Sequence, residues 1–401
     1  MSLFRWVIIV LAVAPFSSCA SNLEDSQSQW ERGNEYFFAP LERAYLELKE
    51  EKEPEKALAL LSAFQPAVYI SESTPLPLDF YQDVVPRMVY RDRRTENGHW
   101  QPLTPELLEQ HRDSWFIDIR YLEEPRHLSD TTVAYGRVFY DSLSLKEDEA
   151  PEDIIVLKYN FVFPYSGLPA DLPGLRGLVR FMGSTEKWHW LDIHGAITIV
   201  LDSQRNPLAV NLSQHNHQRT YLVGRQVAYS PPSVSVTFSQ SSHEPYPSQA
   251  EGEGRWEPAI ATAESFPFLL TNRSPSWTDA YDYVPGSDEV RRLQYSVLHL
   301  PIEDPLYTAK ISLGPELKLV GMIFHRSRSS PPGMNYSTRP DLLPYHRAIP
   351  FWYMNNPDPQ LLTLLESSLS FGADFEDLLS FNHRRLQEDW SQLKEALTFG
   401  Q

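Results

Sequence analysis

The chain predicts a mainly β protein with helical ends, an α+β fold in which an antiparallel β-sandwich is flanked by N- and C-terminal helices. Three observations predict it. Between residues 65 and 328, short β-branched and aromatic runs alternate with Pro, Asp, Asn and Gly punctuation. Apolar residues recur at helical spacing before and after that region. Proline is abundant, 33 in 401 residues, which favours a loop-rich β architecture over a helical bundle.

Residues 1–18 read as a secretory signal: Arg5 is followed by an apolar run from Trp6 to Phe16, then Ser17 and Ser18. The run is too short for a mature membrane span. Cys19, the only cysteine, excludes an intrachain disulfide. It stands where a bacterial lipoprotein carries its lipidated thiol, so palmitate-type lipidation at Cys19 is expected, with Ala20 and Ser21 resembling the outer-membrane sorting pattern. Ordinary signal cleavage near Ala20 and a retained anchor stand beside that reading. A periplasmic or inner-membrane lipoprotein is the alternative to the outer membrane. Residues 19–29 then form a polar tether.

Residues 30–64 predict two helices. Phe37, Leu41, Tyr45 and Leu48 share a face over Trp30–Lys52, and a second helix is expected over Pro54–Phe64. The charge run between them reads as a solvated surface.

Within 65–328, extended segments are expected at Ala67–Ile70, Ser114–Tyr121, Thr132–Tyr140, Ile154–Val162, Ala196–Leu201, Leu208–Leu212, Gln226–Tyr229 and Ser233–Ser239. Asp202–Pro207 supplies turn chemistry, so Ala196–Leu201 and Leu208–Leu212 form a hairpin. Gly167–Gly183 is too rich in Gly and Pro for a strand and reads as a long connection or a lid. In Ser233–Ser239, Val234, Val236 and Phe238 alternate with hydroxylated residues, the pattern of a half-buried strand. Residues 329–401 begin with a Pro-rich linker, Ser329–Asp341, and continue into helices over Pro359–Leu369 and Asp374–Leu397.

The stretch Lys187–Tyr221 concentrates candidate metal ligands. By strand alternation, Asp192 and His194 share one side and His215 and His217 another, with His189 reaching in from a preceding loop. His243, in a Pro-bounded turn with Glu244, is a further ligand or a general base. Such an N/O set suits one divalent metal ion. The same side chains serve equally as hydrogen-bonding groups at strand ends.

Charge and motifs exclude several classes. Lys plus Arg is 35 against Asp plus Glu at 53, a net charge of −18, so nucleic acid is not an expected partner. No GxSxG elbow, Walker loop, GxGxxG or HExxH occurs, and one cysteine cannot build a thiolate zinc site.

The run His189-Trp190-Leu191-Asp192-Ile193-His194 resembles the H-x-x-D-x-E heart of the GHRHDWE motif of necrosis-inducing (NPP1-like) proteins and the GDWE strand of Vps62-related proteins, with His in place of the family Glu. Phe64–Tyr81, Leu157–Tyr165, Leu212–His215 and Ser241–Pro247 keep the Vps62-like order. The resemblance implies a β-sandwich and, in the necrosis-inducing branch, a divalent cation and a membrane sphingolipid bound at the motif. His189, Asp192 and His194 are the positions that match.

Three functions remain open. The first is a lipid-anchored cell-envelope protein that binds or scaffolds an envelope protein or glycan, with the membrane reached through Cys19. The second is a metal-dependent hydrolase acting on an envelope component. The third is a membrane-active NPP1-like protein.

Overall fold

The computed structural model describes residues 49–92, 99–111, 117–121, 126–127, 131–143, 152–167, 189–192, 197–214, 217–224, 226–249, 252–262, 277–301 and 303–308. The signal, the tether, most of the first expected helix, the Gly167–Gly183 connection beyond its first residue, and the linker with its C-terminal helices lie outside them.

The strands are β1 (Lys49–Glu50), β2 (Ala67–Ser71), β3 (Met88–Asp92), β4 (Gln101–Pro102), β5 (Ile117–Tyr121), β6 (Val133–Leu143), β7 (Glu152–Phe161), β8 (Phe163–Ser166), β9 (His189–Asp192) and β10 (Ile197–Asp202). They continue with β11 (Pro207–Gln214), β12 (His217–Leu222), β13 (Tyr229–Ser230), β14 (Ser233–Phe238), β15 (Pro245–Pro247), β16 (Arg255–Thr262), β17 (Trp277–Val284), β18 (Val290–Arg292) and β19 (Ser296–His299). Helices α1 (Pro54–Ala63), α2 (Pro105–His111) and α3 (Pro305–Thr308) complete the set, with a π-helical turn at Phe80–Val84.

A seven-stranded sheet runs β1-β6-β7-β10-β11-β12, with β19 also on β6, and a five-stranded sheet runs β13-β14-β2-β18, with β15 on β14. The fold is β-rich and mostly antiparallel as expected, except that β14 pairs β2 and β19 pairs β6 in parallel. Leu157, Tyr159, Phe161, Ile199 and Val210 from one sheet meet Val68, Ile70, Val236 and Phe238 from the other in one buried core.

Helix α1 closes one side of that core. Pro54 pre-sets its first turn, and Ala57, Leu60 and Leu61 are buried. Leu61 sits over Gly136 of β6, where a Cβ would lie 2.6 Å from a Leu61 methyl carbon, so only glycine admits this approach. A second core, with Leu78, Phe80, Met88, Leu108 and Leu306, packs around Tyr135 and Val162.

The expected hairpin is present: Thr198 pairs Asn211 and Ile199 pairs Val210, with a register shift after Val200. Its turn is held by Asp202, whose carboxylate accepts the Asn206 backbone N–H at 2.7 Å and its side-chain amide at 2.9 Å. One helical expectation is corrected. Lys49 and Glu50, placed at the end of a helix over Trp30–Lys52, form β1 against Tyr140 and Phe139. The Glu51 backbone N–H then reaches the Val138 carbonyl at 2.9 Å, so the β6 edge takes the hydrogen bonds a helix would have used.

Candidate functional site

Strand β8 organises the corner where the candidate residues meet. It follows β7 after Val162 and pairs with β9 in a separate two-stranded sheet, setting Phe163 opposite Asp192, Tyr165 opposite Trp190 and Ser166 opposite His189. His189 therefore lies in a strand rather than in a loop. The reason is the extended run Phe163–Ser166, which offers β9 a partner edge.

On its other side Phe163 meets the turn after β14. The His243 ring stacks on the Phe163 ring at 4.6 Å and 24°, and Tyr165 lies 5.8 Å away. Phe163 thus stands between the backbone of Asp192 and the imidazole of His243, which is 1% exposed.

The turn that carries His243 is built from hydroxyl and carboxylate groups. The Ser239 backbone N–H donates to the Glu244 carbonyl at 2.9 Å, and the Glu244 N–H donates to the Ser239 hydroxyl at 3.1 Å. Ser239 donates to the Asp282 carboxylate at 3.2 Å, and Ser242 donates to the same oxygen. The Gly167 N–H donates to the Ser241 carbonyl at 2.8 Å, fastening the end of β8 to the turn. His243 itself has φ of 58°, a left-handed conformation that costs about 1 kcal/mol for a residue with a Cβ. The surrounding hydrogen bonds and the ring stack hold it there.

Ser239, Ser242, His243, Glu244, Tyr246 and Asp282 are all buried. Burial pushes the Tyr246 phenol well above its usual value, and the neighbouring Asp282 and Glu244 carboxylates push it further in the same direction.

The two strand-face arguments for the remaining ligands change. Strand β9 ends at Asp192 and β10 starts at Ile197 in another sheet, so Asp192 and the hairpin belong to separate strands. His194 lies outside the described residues. Strand β11 ends at Gln214 and β12 begins at His217, with Gln214 opposite His217, so the chain reverses where one continuous strand was expected. His215 lies outside the described residues. Strand β8 is the link, its backbone paired with that of His189 and Asp192 and its Phe163 ring stacked on His243, and the fold places His217 on β12.

The described side chains alone contain no group of three or more His, Cys, Asp or Glu arranged around a point for a metal ion. The donor chemistry available at the corner is imidazole from His243 and carboxylate from Glu244 and Asp282, a fit to a divalent cation only in type.

Asp282, Ser239, Ser242, Phe163 and Tyr165 were not singled out in the sequence as site residues. For Asp282 a signal existed. In Tyr281-Asp282-Tyr283-Val284, strand alternation puts the carboxylate in phase with the aliphatic Val284, and in β17 both are buried while Tyr281 and Tyr283 are more exposed.

A scan against known protein families finds no match, and neither does a search of curated proteins. Among solved structures, NLPPya in complex with glucosamine is 15% identical, with 49% of this chain and 69% of that chain covered and a TM-score of 0.25. NLPPya in complex with mannosamine is 12% identical over 65% and 86%, TM-score 0.28. Necrosis and Ethylene inducing Protein 2, from the causal agent of cocoa's Witches Broom disease, is 12% identical over 61% and 74%, TM-score 0.24. These are proteins of the necrosis-inducing group that residues 189–194 resemble.

Proposed function

We propose that the protein is a lipid-anchored cell-envelope binding protein, held to the membrane through Cys19, whose binding corner is built by β8, β9 and the turn bearing His243. The observation that carries the corner is the position of Phe163, opposite Asp192 in register and stacked on His243. What supports binding over catalysis is the absence of a nucleophile-and-base motif in the sequence, and a His243 whose ring is covered by aromatic neighbours. The partner is an envelope protein or glycan.

A second reading shares the corner: a divalent ion held by side chains drawn from His189, Asp192, His194, His215, His217 and His243, serving either as a structural organiser or as the Lewis acid of a hydrolase. The pairing of β9 with β8, whose Phe163 ring stacks on His243, supports it. Elemental analysis of the purified protein, set beside Asp192→Ala and His243→Ala, tests it. About one equivalent of metal in the parent, lost in both variants, is the expected result. No metal in the parent returns these residues to a structural role. The membrane-active reading is tested by leakage from sphingolipid vesicles, and an anchored binding protein releases no dye.

A further inference from the structure

The seven-stranded sheet has two unlike faces. The face toward the five-stranded sheet is aliphatic and aromatic, as in any sandwich core. The other carries a polar row in direct cross-strand register. Arg137 of β6 stands opposite Lys158 of β7, Lys158 opposite Thr198 of β10, and Thr198 opposite Asn211 of β11. None of the four is more than 1% exposed.

Asn160 lies two residues beyond Lys158 on β7, on the same face because side chains alternate along a strand. It is fully buried, and neither its amide nitrogen nor its amide oxygen has a hydrogen-bond partner. Tyr135, opposite Asn160, is engaged elsewhere: its hydroxyl accepts the Phe80 backbone N–H at 2.7 Å and donates to Asp79 at 3.1 Å.

Such a row is costly for a sheet to keep. Like charges directly opposite one another repel, and each buried cation loses its hydration. An unsatisfied buried amide adds to that cost. The cost falls in a chain whose acidic residues outnumber its basic ones, 53 to 35. Arg137 also lies close enough to His299 and Asp304 to act on both, lowering the proton affinity of each. The donors assembled here are a guanidinium, an ammonium, a hydroxyl and a carboxamide N–H, the set that recognises an oxyanion. Arg137, Lys158 and Asn211 have further contacts within the fold. Asn160 is the group whose capacity is unused.

We propose that the row Arg137, Lys158, Thr198 and Asn211, completed by Asn160, is a binding site for a small oxyanion, the phosphate or carboxylate group of a ligand. None of these residues belongs to the corner around His243, so the site stands or falls independently of the envelope-binding reading.

Calorimetric titration of the full chain with sodium phosphate, and separately with sodium acetate, tests the proposal, with ionic strength held constant by sodium chloride. Saturable binding of either anion is expected, and the one that saturates identifies the group. Asn160→Leu removes an unused amide and keeps its thermal midpoint, yet it weakens anion binding about tenfold or more, the loss expected for a hydrogen bond to a charged group. Lys158→Met abolishes binding. Should that variant fail to fold, Asn160→Leu alone decides. The proposal is overturned if neither anion gives saturable heat, because a buried water or contacts within the chain then satisfy the row. Binding left intact by Asn160→Leu overturns it equally.

Discussion

Asp282 shows how much one buried carboxylate organises here. It accepts hydrogen bonds from Ser239 and Ser242, and through Ser239 it fixes the turn that presents His243. Asp282→Ala removes the shared carboxylate acceptor of Ser239 and Ser242, whose hydroxyls lie 2.9 Å apart and can still bond to each other, and is expected to cost roughly 1–3 kcal/mol, whereas Asp282→Asn retains an acceptor and costs less. Urea unfolding of both variants checks this, and equal losses would remove the role assigned to the hydroxyl bonds. Glu51 gives a pH prediction. Its carboxyl is held below the usual glutamate range by the ion pair with Lys56 at 2.5 Å, and then by the Tyr140 hydroxyl at 2.7 Å, against the opposing effect of burial. A carboxylate with a lowered folded pKa stabilises the fold above its ordinary value of 4.5, and that contribution is lost as pH falls through the folded pKa. Glu51→Gln should therefore lower stability at neutral pH and lessen the further decline below pH 4.5. Denaturation midpoints compared across that range decide it, and parallel pH profiles would refute the assignment.

Among the elements, those with a local cause stand where the sequence places them. Pro54 and the spacing of Ala57, Leu60 and Leu61 yield α1, and Asp202 yields the β10–β11 turn. The packing of α1 on β6 is a different matter, because it depends on a missing side chain. A Cβ at Gly136 would fall 2.6 Å and 2.9 Å from the Leu61 methyl carbons and 3.1 Å from a Val297 methyl carbon. Leu61 is fully buried and has little room to move. Gly136→Val is expected to cost roughly 1–3 kcal/mol through overpacking. The denaturant midpoint reads the effect, and an unchanged midpoint would mean that α1 shifts freely. The hairpin β16–β17 was not anticipated, since Pro258 within β16 argues against a central strand. The two-stranded pairing of Arg255–Thr262 with Trp277–Val284 leaves that strand at an edge, where proline is tolerated.

For the molecule as a whole, the proposed attachment to a membrane rests on Cys19. Among the described residues no helix is long and apolar enough to cross a membrane. Cys19→Ser is accordingly expected to move the protein from the membrane to the aqueous fraction after expression in a Gram-negative host, and a parent chain that already fractionates as soluble would refute lipidation. The sequence by itself determined the β-rich class, α1, the β10–β11 hairpin, the half-buried strand β14 and the polar turn at His243. Each follows from a period or a turn residue within a few positions, so each is written locally. Tertiary structure alone decided that β8 seeks β9, that Phe163 links Asp192 to His243, and that Asp282 reaches Ser239 and Ser242 across separations of 43 and 40 residues. It also decided that Arg137, Lys158, Thr198 and Asn211 fall into one buried row. A strand's alternation says which residues share a face. Which strand lies opposite, and in what register, follows from packing and chain closure over long separations, and no local pattern carries that.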